Sequence, residues 1–300
     1  MNAEIITLNN VDDYCRLLGT ETLHPLVSMV DFADLKSIPH VRKWFGFYCI
    51  YYKELECGTI QYGRSRYDYQ EGTMLFIGPG QSAGVNDGGE TISPKGKVLM
   101  FHPDLIKRTP LSSRMKEYTF FSYDTNEGLH LSEREKHTIL GCLSEIRAEL
   151  EHPIDKFTKN IVCSNIELLL NHCVRFYERQ FITREIPNHD ILSKFEKMLN
   201  EYLDSDMPQT HGLPTVQFCA EKVFLSPNYF GDLVKKETGK SPIEMIQLAV
   251  IARVKTMLAE TDMSISEIAY RCGFNYPHHL NRMFRKLTGL TPLQYRKQAV

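Results

Sequence analysis

Three hundred residues with 42% hydrophobic and 24% charged content are too many for one small domain and suit two, with cores of ordinary size. Eight cysteines without a CxxC pair or a Cys/His cluster at zinc spacing exclude a zinc module of that kind. The net charge of -2 hides an asymmetry: from Gly212 onward 12 Lys and Arg stand against 7 Asp and Glu, a net of +5, and the remainder carries -7. That is the balance of an acidic body with a nucleic-acid-binding tail.

No apolar run approaches the ~18 residues a membrane helix needs, and no charged-then-apolar leader opens the sequence. A soluble, cytoplasmic chain with reduced thiols is expected. In chain order, Val11 to Leu18 reads as a short helix capped by Asn10. Strand signals then run at Phe45 to Tyr52, Gly58 to Tyr62, Met74 to Ile77 and Val98 to His102, with Gly78-Pro79-Gly80 as a turn. Short strands between Gly-rich turns predict a small all-β sandwich or barrel. Tyr48, Tyr51, Tyr52, Tyr62, Tyr67 and Tyr69 alternate along them and either line a pocket or pack the core. His102 either faces that cavity or is bonded locally at a strand end. Tyr48, Tyr62 and His102 are the candidate effector contacts.

From Ser132 the period changes to 3.6. Ser132-x-x-Glu135 is a capping box, and Ile139, Leu143, Ile146 and Leu150 make a stripe that ends near Pro153. A second helix is expected from Ile154 or Asp155 to about Phe181. Pro187 breaks the pattern in Arg184 to Asn188, which places a domain boundary near Thr183 to His189. Asp190 to Asp204 opens the next domain as a helix.

The last ninety residues contain a repeat. AEKVFLSPNYFGDLVKKETGKSP (Ala220 to Pro242) returns as AYRCGFNYPHHLNRMFRKLTGLTP (Ala269 to Pro292). Ala220/Ala269 and Leu225/Phe274 match at an offset of 49, and Phe230/Leu280, Lys236/Lys286, Gly239/Gly289 and Pro242/Pro292 at 50; one residue has entered the second turn. Each copy has the order of a helix-turn-helix. Ser226 caps the second helix of copy one and Asn275 that of copy two. Between them Pro242 to Ala259 is one continuous helix of roughly 27 Å, so both second helices can reach groove segments about 34 Å apart.

At Ile265-Ser-Glu-Ile-Ala-Tyr-Arg-Cys-Gly-Phe274 and Phe284-Arg-Lys-Leu-Thr-Gly-Leu-Thr-Pro-Leu-Gln-Tyr-Arg296 the chain resembles the AraC/XylS family of bacterial transcription regulators. Tyr69 to Gly80 and Met100 to Leu105 look like the cupin-type sensor domain that precedes the DNA-binding domain in many of them. The fold expected is therefore α+β in two domains. Residues 1-185 hold a cupin-like β-barrel (about 45-106) with trailing helices (about 132-182), and residues 190-300 are an all-α domain with two helix-turn-helix units on a linker helix. Arg64, Ser65, Arg66, Gln81 and Ser82 stand where metal-binding cupins carry histidines, so neither a metal nor another cofactor is expected.

The resemblance implies promoter DNA and RNA polymerase as partners, pairing of two chains through the trailing helices, and a cytoplasmic, nucleoid-associated protein. Excluding the apolar stripes leaves Asn228, Tyr229, Gly231, Asp232 and Lys235 in copy one and Pro277, His278, Asn281, Arg282 and Arg285 in copy two, with Lys286 beside them, as candidate DNA contacts. Arg282 heads the set because its fork can pair with guanine O6 and N7. Lys222, Lys235, Lys236, Lys240, Arg271, Arg296 and Lys297 are candidate phosphate partners. Two other readings remain open: control by a protein partner instead of a small effector, and a cupin enzyme with a DNA-binding tail. The latter lacks a visible metal cluster, nucleophile elbow or phosphate loop, so no catalytic residue is assigned.

Overall fold

The computed structural model describes residues 5-35, 38-39, 41-54, 72-84, 91-92, 95-124, 127-183 and 185-299. The chain divides into two compact units, Met1–Thr183 and Arg184–Val300.

In the first unit the elements run β1 (Ile6–Leu8), α1 (Val11–Leu18), β2 (Val27–Asp31), β3 (Ile38–Pro39), β4 (Lys43–Phe45), β5 (Tyr48–Lys53), β6 (Thr73–Ile77), β7 (Gln81–Ala83), β8 (Thr91–Ile92) and β9 (Gly96–Phe101). Short helices α2 (Pro103–Ile106) and α3 (Pro110–Arg114) follow, then β10 (Leu129–His130), α4 (Glu133–Glu151) and α5 (Thr158–Thr183). The strands form a five-stranded sheet ordered β10-β6-β5-β9-β2, a three-stranded sheet β1-β4-β7 and the pair β3-β8. Among the described residues these are separate sheets and not a closed barrel. The expected strand Gly58 to Tyr62, with Tyr62, Tyr67, Tyr69 and Arg64 to Arg66, lies outside the described residues.

Period-2 alternation sorts β5. Cys49 and Tyr51 point into a core that α1 shares with the small sheet, where Val11, Tyr14, Cys15, Phe45 and Phe47 are buried. Tyr48, Ile50 and Tyr52 point the other way, in register with Phe101, Leu99 and Met74. That second face meets α5, whose Cys173 Sγ lies 3.8 Å from Met74 Sδ. Tyr177 donates to the Glu127 carbonyl at 3.1 Å, and its ring stacks on Phe120. β2 lies ahead of the first expected strand because VSMVD is buried at four successive positions, a pattern without alternation to read.

α5 starts at Thr158, later than expected. Asp155 accepts from the backbone N–H of Phe157 and Thr158 at 2.8 and 3.0 Å, holding the residues before the helix in a turn.

The second unit is all helical: α6 (Glu185–Asp204), α7 (Met207–His211), α8 (Val216–Lys222), α9 (Pro227–Thr238), α10 (Pro242–Glu260), α11 (Ile265–Arg271), α12 (Pro277–Thr288) and α13 (Pro292–Ala299). The expected break over Arg184 to Asn188 is corrected, since α5 ends at Thr183 and α6 opens at Glu185. Pro187 falls in the first turn of α6, where a missing N–H costs nothing. α10 packs against α6, α9, α11, α12 and α13, and Ile246, Val250, Ile251, Val254, Met257 and Leu258 are buried along it. Phe195 of α6 meets Phe230 of α9 edge-on at 5.1 Å.

Candidate nucleic-acid interface

The repeat in sequence is a repeat in hydrogen bonds. Gly239 and Gly289 end α9 and α12 in the left-handed region at φ 71 and 78, each N–H reaching a carbonyl four residues back, Lys235 and Arg285, at 2.9 Å. Thr238 and Thr288 donate to the carbonyls of Val234 and Phe284 at 2.7 and 2.8 Å and accept from the N–H of Lys240 and Leu290. Thr215, Ser226 and Ser264 cap α8, α9 and α11.

Asn275 is not the cap of α12. The cap residue is Tyr276, which makes no side-chain cap bond. The extra residue in the second turn moves Asn275 one place too early, and Pro277 at the first helical position fixes the start instead.

Both second helices rest on α10, a rod of about 28 Å, so their relative orientation is set by one rigid element. On α12, His278, Asn281, Arg282, Arg285 and Lys286 are all exposed, while Leu280 and Phe284 are buried. The spacing i, i+3, i+4, i+7 gathers those polar side chains on one face. The side chains of Arg282 and Arg285 make no ion pair or hydrogen bond among the described residues, which leaves their N–H groups available to an anion, while the Lys286 ammonium joins the bonds from Ser241 in lowering the carboxyl of Glu244 on α10. Arg282 and Lys286 also line a cleft of about 510 Å³ with Gln247, Tyr276 and His279, and no carboxylate lines it.

On α9 the outcome is mixed. Asn228 and Lys235 are exposed and Asp232 is half-buried. Tyr229 is a correction: it is 4% exposed, packed beside Phe230 and Leu233 with its N–H on the Ser226 hydroxyl at 3.3 Å. α9 packs on α6, α8 and α10, and α12 on α10, α11 and α13, so the same repeat position meets different neighbours in the two copies. His279, the counterpart of Tyr229 at the offset of 50, is exposed and was missed by the sequence argument. Its ring lies 4.2 Å from that of His278, which stacks on exposed Tyr276, while His279 is tilted to Tyr276 at 6.0 Å.

Of the candidate phosphate partners, Arg296 is committed inside the unit, its Nε donating to the Leu258 carbonyl at 3.2 Å. Lys222 lies over the Phe218 ring at 5.5 Å. In the first unit, Tyr48 is stacked on Phe101 and edge-on to Phe121, both at 4.9 Å, and burial pushes its hydroxyl above the ordinary value. His102 caps α2, its Nδ1 accepting from the Asp104 N–H at 3.2 Å. No group of three or more His, Cys, Asp or Glu able to hold a metal ion occurs among the described residues. No described helix is long and apolar enough to cross a membrane.

Two three-helix units sharing a rod, each ending its second helix in the same Thr-Gly turn, define a tandem helix-turn-helix DNA-binding domain. A family model described as a helix-turn-helix domain matches residues 219–298. Curated relatives include the uncharacterized HTH-type transcriptional regulator YijO of Escherichia coli, 25% identical over 53% of this chain and 52% of its own. YtdP of Bacillus subtilis, also an uncharacterized HTH-type transcriptional regulator, is 36% identical over 28% of this chain and 11% of its own. The transcriptional activator RhaS of Salmonella paratyphi A is 23% identical over 55% and 56%. The chain thus spans about half the length of those relatives or less. Among solved structures, an AraC-type regulator from Chromobacterium violaceum is similar at 20% identity, covering 37% of this chain and 94% of its own, with a TM-score of 0.34. Within the carboxyl-terminal unit residues 219–298 thus carry a helix-turn-helix domain, and these curated relatives are named as transcriptional regulators or activators.

Proposed function

We propose that the protein is a sequence-specific DNA-binding transcription regulator whose second helix-turn-helix dominates base readout through Arg282. The observation that carries this reading is the exposed face of α12, where Arg282, Arg285, Lys286 and two histidines stand over a buried stripe on a rigid support. The first unit is read as a cupin-like sensor, with the open five-stranded sheet as its principal wall, responding to a small-molecule effector through side chains such as Tyr48. An effector works only if it binds the two arrangements of the protein unequally.

Ile161 and Leu168 of α5 are 42% and 49% exposed, and Phe157 just ahead of it 53%. Spaced four and seven apart, they form an apolar stripe that fits the same stripe of a second copy. This supports a homodimer presenting two such domains to promoter DNA and RNA polymerase in the cytoplasm. Control through a protein partner differs in its readout: metabolites then leave the melting midpoint unchanged, whereas a bound effector raises it.

Arg282→Ala tests the core of the reading. Affinity for a selected site should fall by about 1 to 3 kcal/mol with the fold intact. Unchanged binding in an anisotropy titration removes Arg282 from the interface.

A further inference from the structure

Phe224 is the most exposed large apolar side chain of the described residues, at 86%. Its backbone sits at φ 60, in the left-handed region that disfavours any side chain with a Cβ. The second copy of the repeat has Gly273 at this position, at φ 87, where a Cβ would meet the Gly212 backbone at 2.9 Å. The second turn is thus roofed by the chain and takes the residue that its conformation asks for. Its counterpart in the first copy of the repeat holds a phenylalanine, also at positive φ, facing solvent. Neither packing nor turn geometry accounts for that side chain.

Position narrows what it serves. Phe224 stands two residues before Ser226, the cap of α9, so at ~3.5 Å per residue it lies within about 7 Å of the helix start. The leading residues of a reading helix are the ones that approach base edges. α9 itself is poor in readout: Tyr229 is turned inward, Gly231 has no side chain, and a Cβ added there would meet open space.

We propose, on the reading that this unit binds DNA, that Phe224 is the principal specificity residue of the first helix-turn-helix. It makes apolar contact with a thymine methyl in the major groove, a contact aromatic side chains are suited to. The first helix-turn-helix reads a methyl by shape, and the second reads hydrogen-bonding edges through Arg282. Strain and exposure at residue 224 are the cost of placing the ring there.

The test uses the full chain and a duplex selected by it from a random library. Each thymine of the site is replaced in turn by deoxyuridine, which removes the methyl and leaves pairing intact. One substitution within the half nearer the first unit should weaken wild-type binding about fourfold, the worth of one buried methyl. Phe224→Gly, which restores the residue of the second copy, should bind the thymine duplex about fourfold more weakly and be indifferent to that substitution, while melting at a higher temperature. Wild-type binding indifferent to every deoxyuridine, or sensitivity retained in F224G, overturns the proposal. So does F224G that binds as wild type but fails to activate transcription in vitro, since Phe224 then faces a protein. R282A separates the two readings: if the wild type selects no duplex, the regulator reading itself fails. If R282A weakens binding while F224G does not, only the role of Phe224 falls.

Discussion

At the start of α11 the Ser264 hydroxyl accepts from the Glu267 N–H at 3.2 Å, and the Glu267 carboxylate accepts from the Ser264 N–H at 2.7 Å. Ser241 and Glu244 do the same at the start of α10. The bonds from Ser264 hold the Glu267 carboxyl below its ordinary value of 4.5, and those from Ser241 do so for Glu244. A carboxyl depressed in the folded state contributes stability that is present above the unfolded value and lost as pH falls through the folded one. The carboxyl-terminal unit should therefore soften as pH falls below the ordinary glutamate value of 4.5. The double variant E244Q/E267Q keeps both boxes without their titration and should show a flatter melting-point profile over that window. An identical slope in thermal scans would place the acid sensitivity elsewhere. Phe224 makes a second point at this scale: relief of its left-handed backbone should make F224G about 1 kcal/mol more stable in urea unfolding.

At the scale of the element, α9 and α12 are the same twelve-residue construction under different burial. Their lengths, first-position prolines and terminal glycines coincide, but Asp232 stands where α12 has Arg282, and Gly231 where it has Asn281. Glycine inside a helix costs roughly 0.5 to 1 kcal/mol relative to alanine, and here the site has open space for a Cβ. A fold-driven sequence would fill it. Gly231→Ala should stabilise the domain by about that amount and weaken DNA binding, because the added methyl stands between helix and groove. An alanine variant that gains stability with affinity unaltered would show that nothing approaches α9 closely.

For the whole molecule, the chain divides into two compact units, and α5 leaves the apolar side chains Ile161 and Leu168 exposed on one face. A charge in that face should oppose pairing at little cost to the monomer. Leu168→Glu is expected to shift the chain from dimer to monomer in sedimentation and to lower its apparent DNA affinity, since two linked domains gain from effective concentration. A wild-type chain that sediments as a monomer at ~10 µM, above the affinities usual for specific complexes, would remove this face as the pairing surface.

The repeat, the glycine stops, the capping box at Ser132 and the long helix between the two repeat copies were legible in the sequence, because each follows from contacts within four residues along the chain. The sheets were less so: β2 is buried on both sides and lacks the period by which a strand is recognised, and sheet closure depends on pairings far apart in sequence. Tyr229 and His279 show the limit most plainly. The sequence determined that both begin a reading helix at the same repeat position. Tertiary structure alone decided that one is core and the other surface, because helical period fixes the centre of an apolar stripe, and the neighbours packed against it fix how wide the stripe becomes.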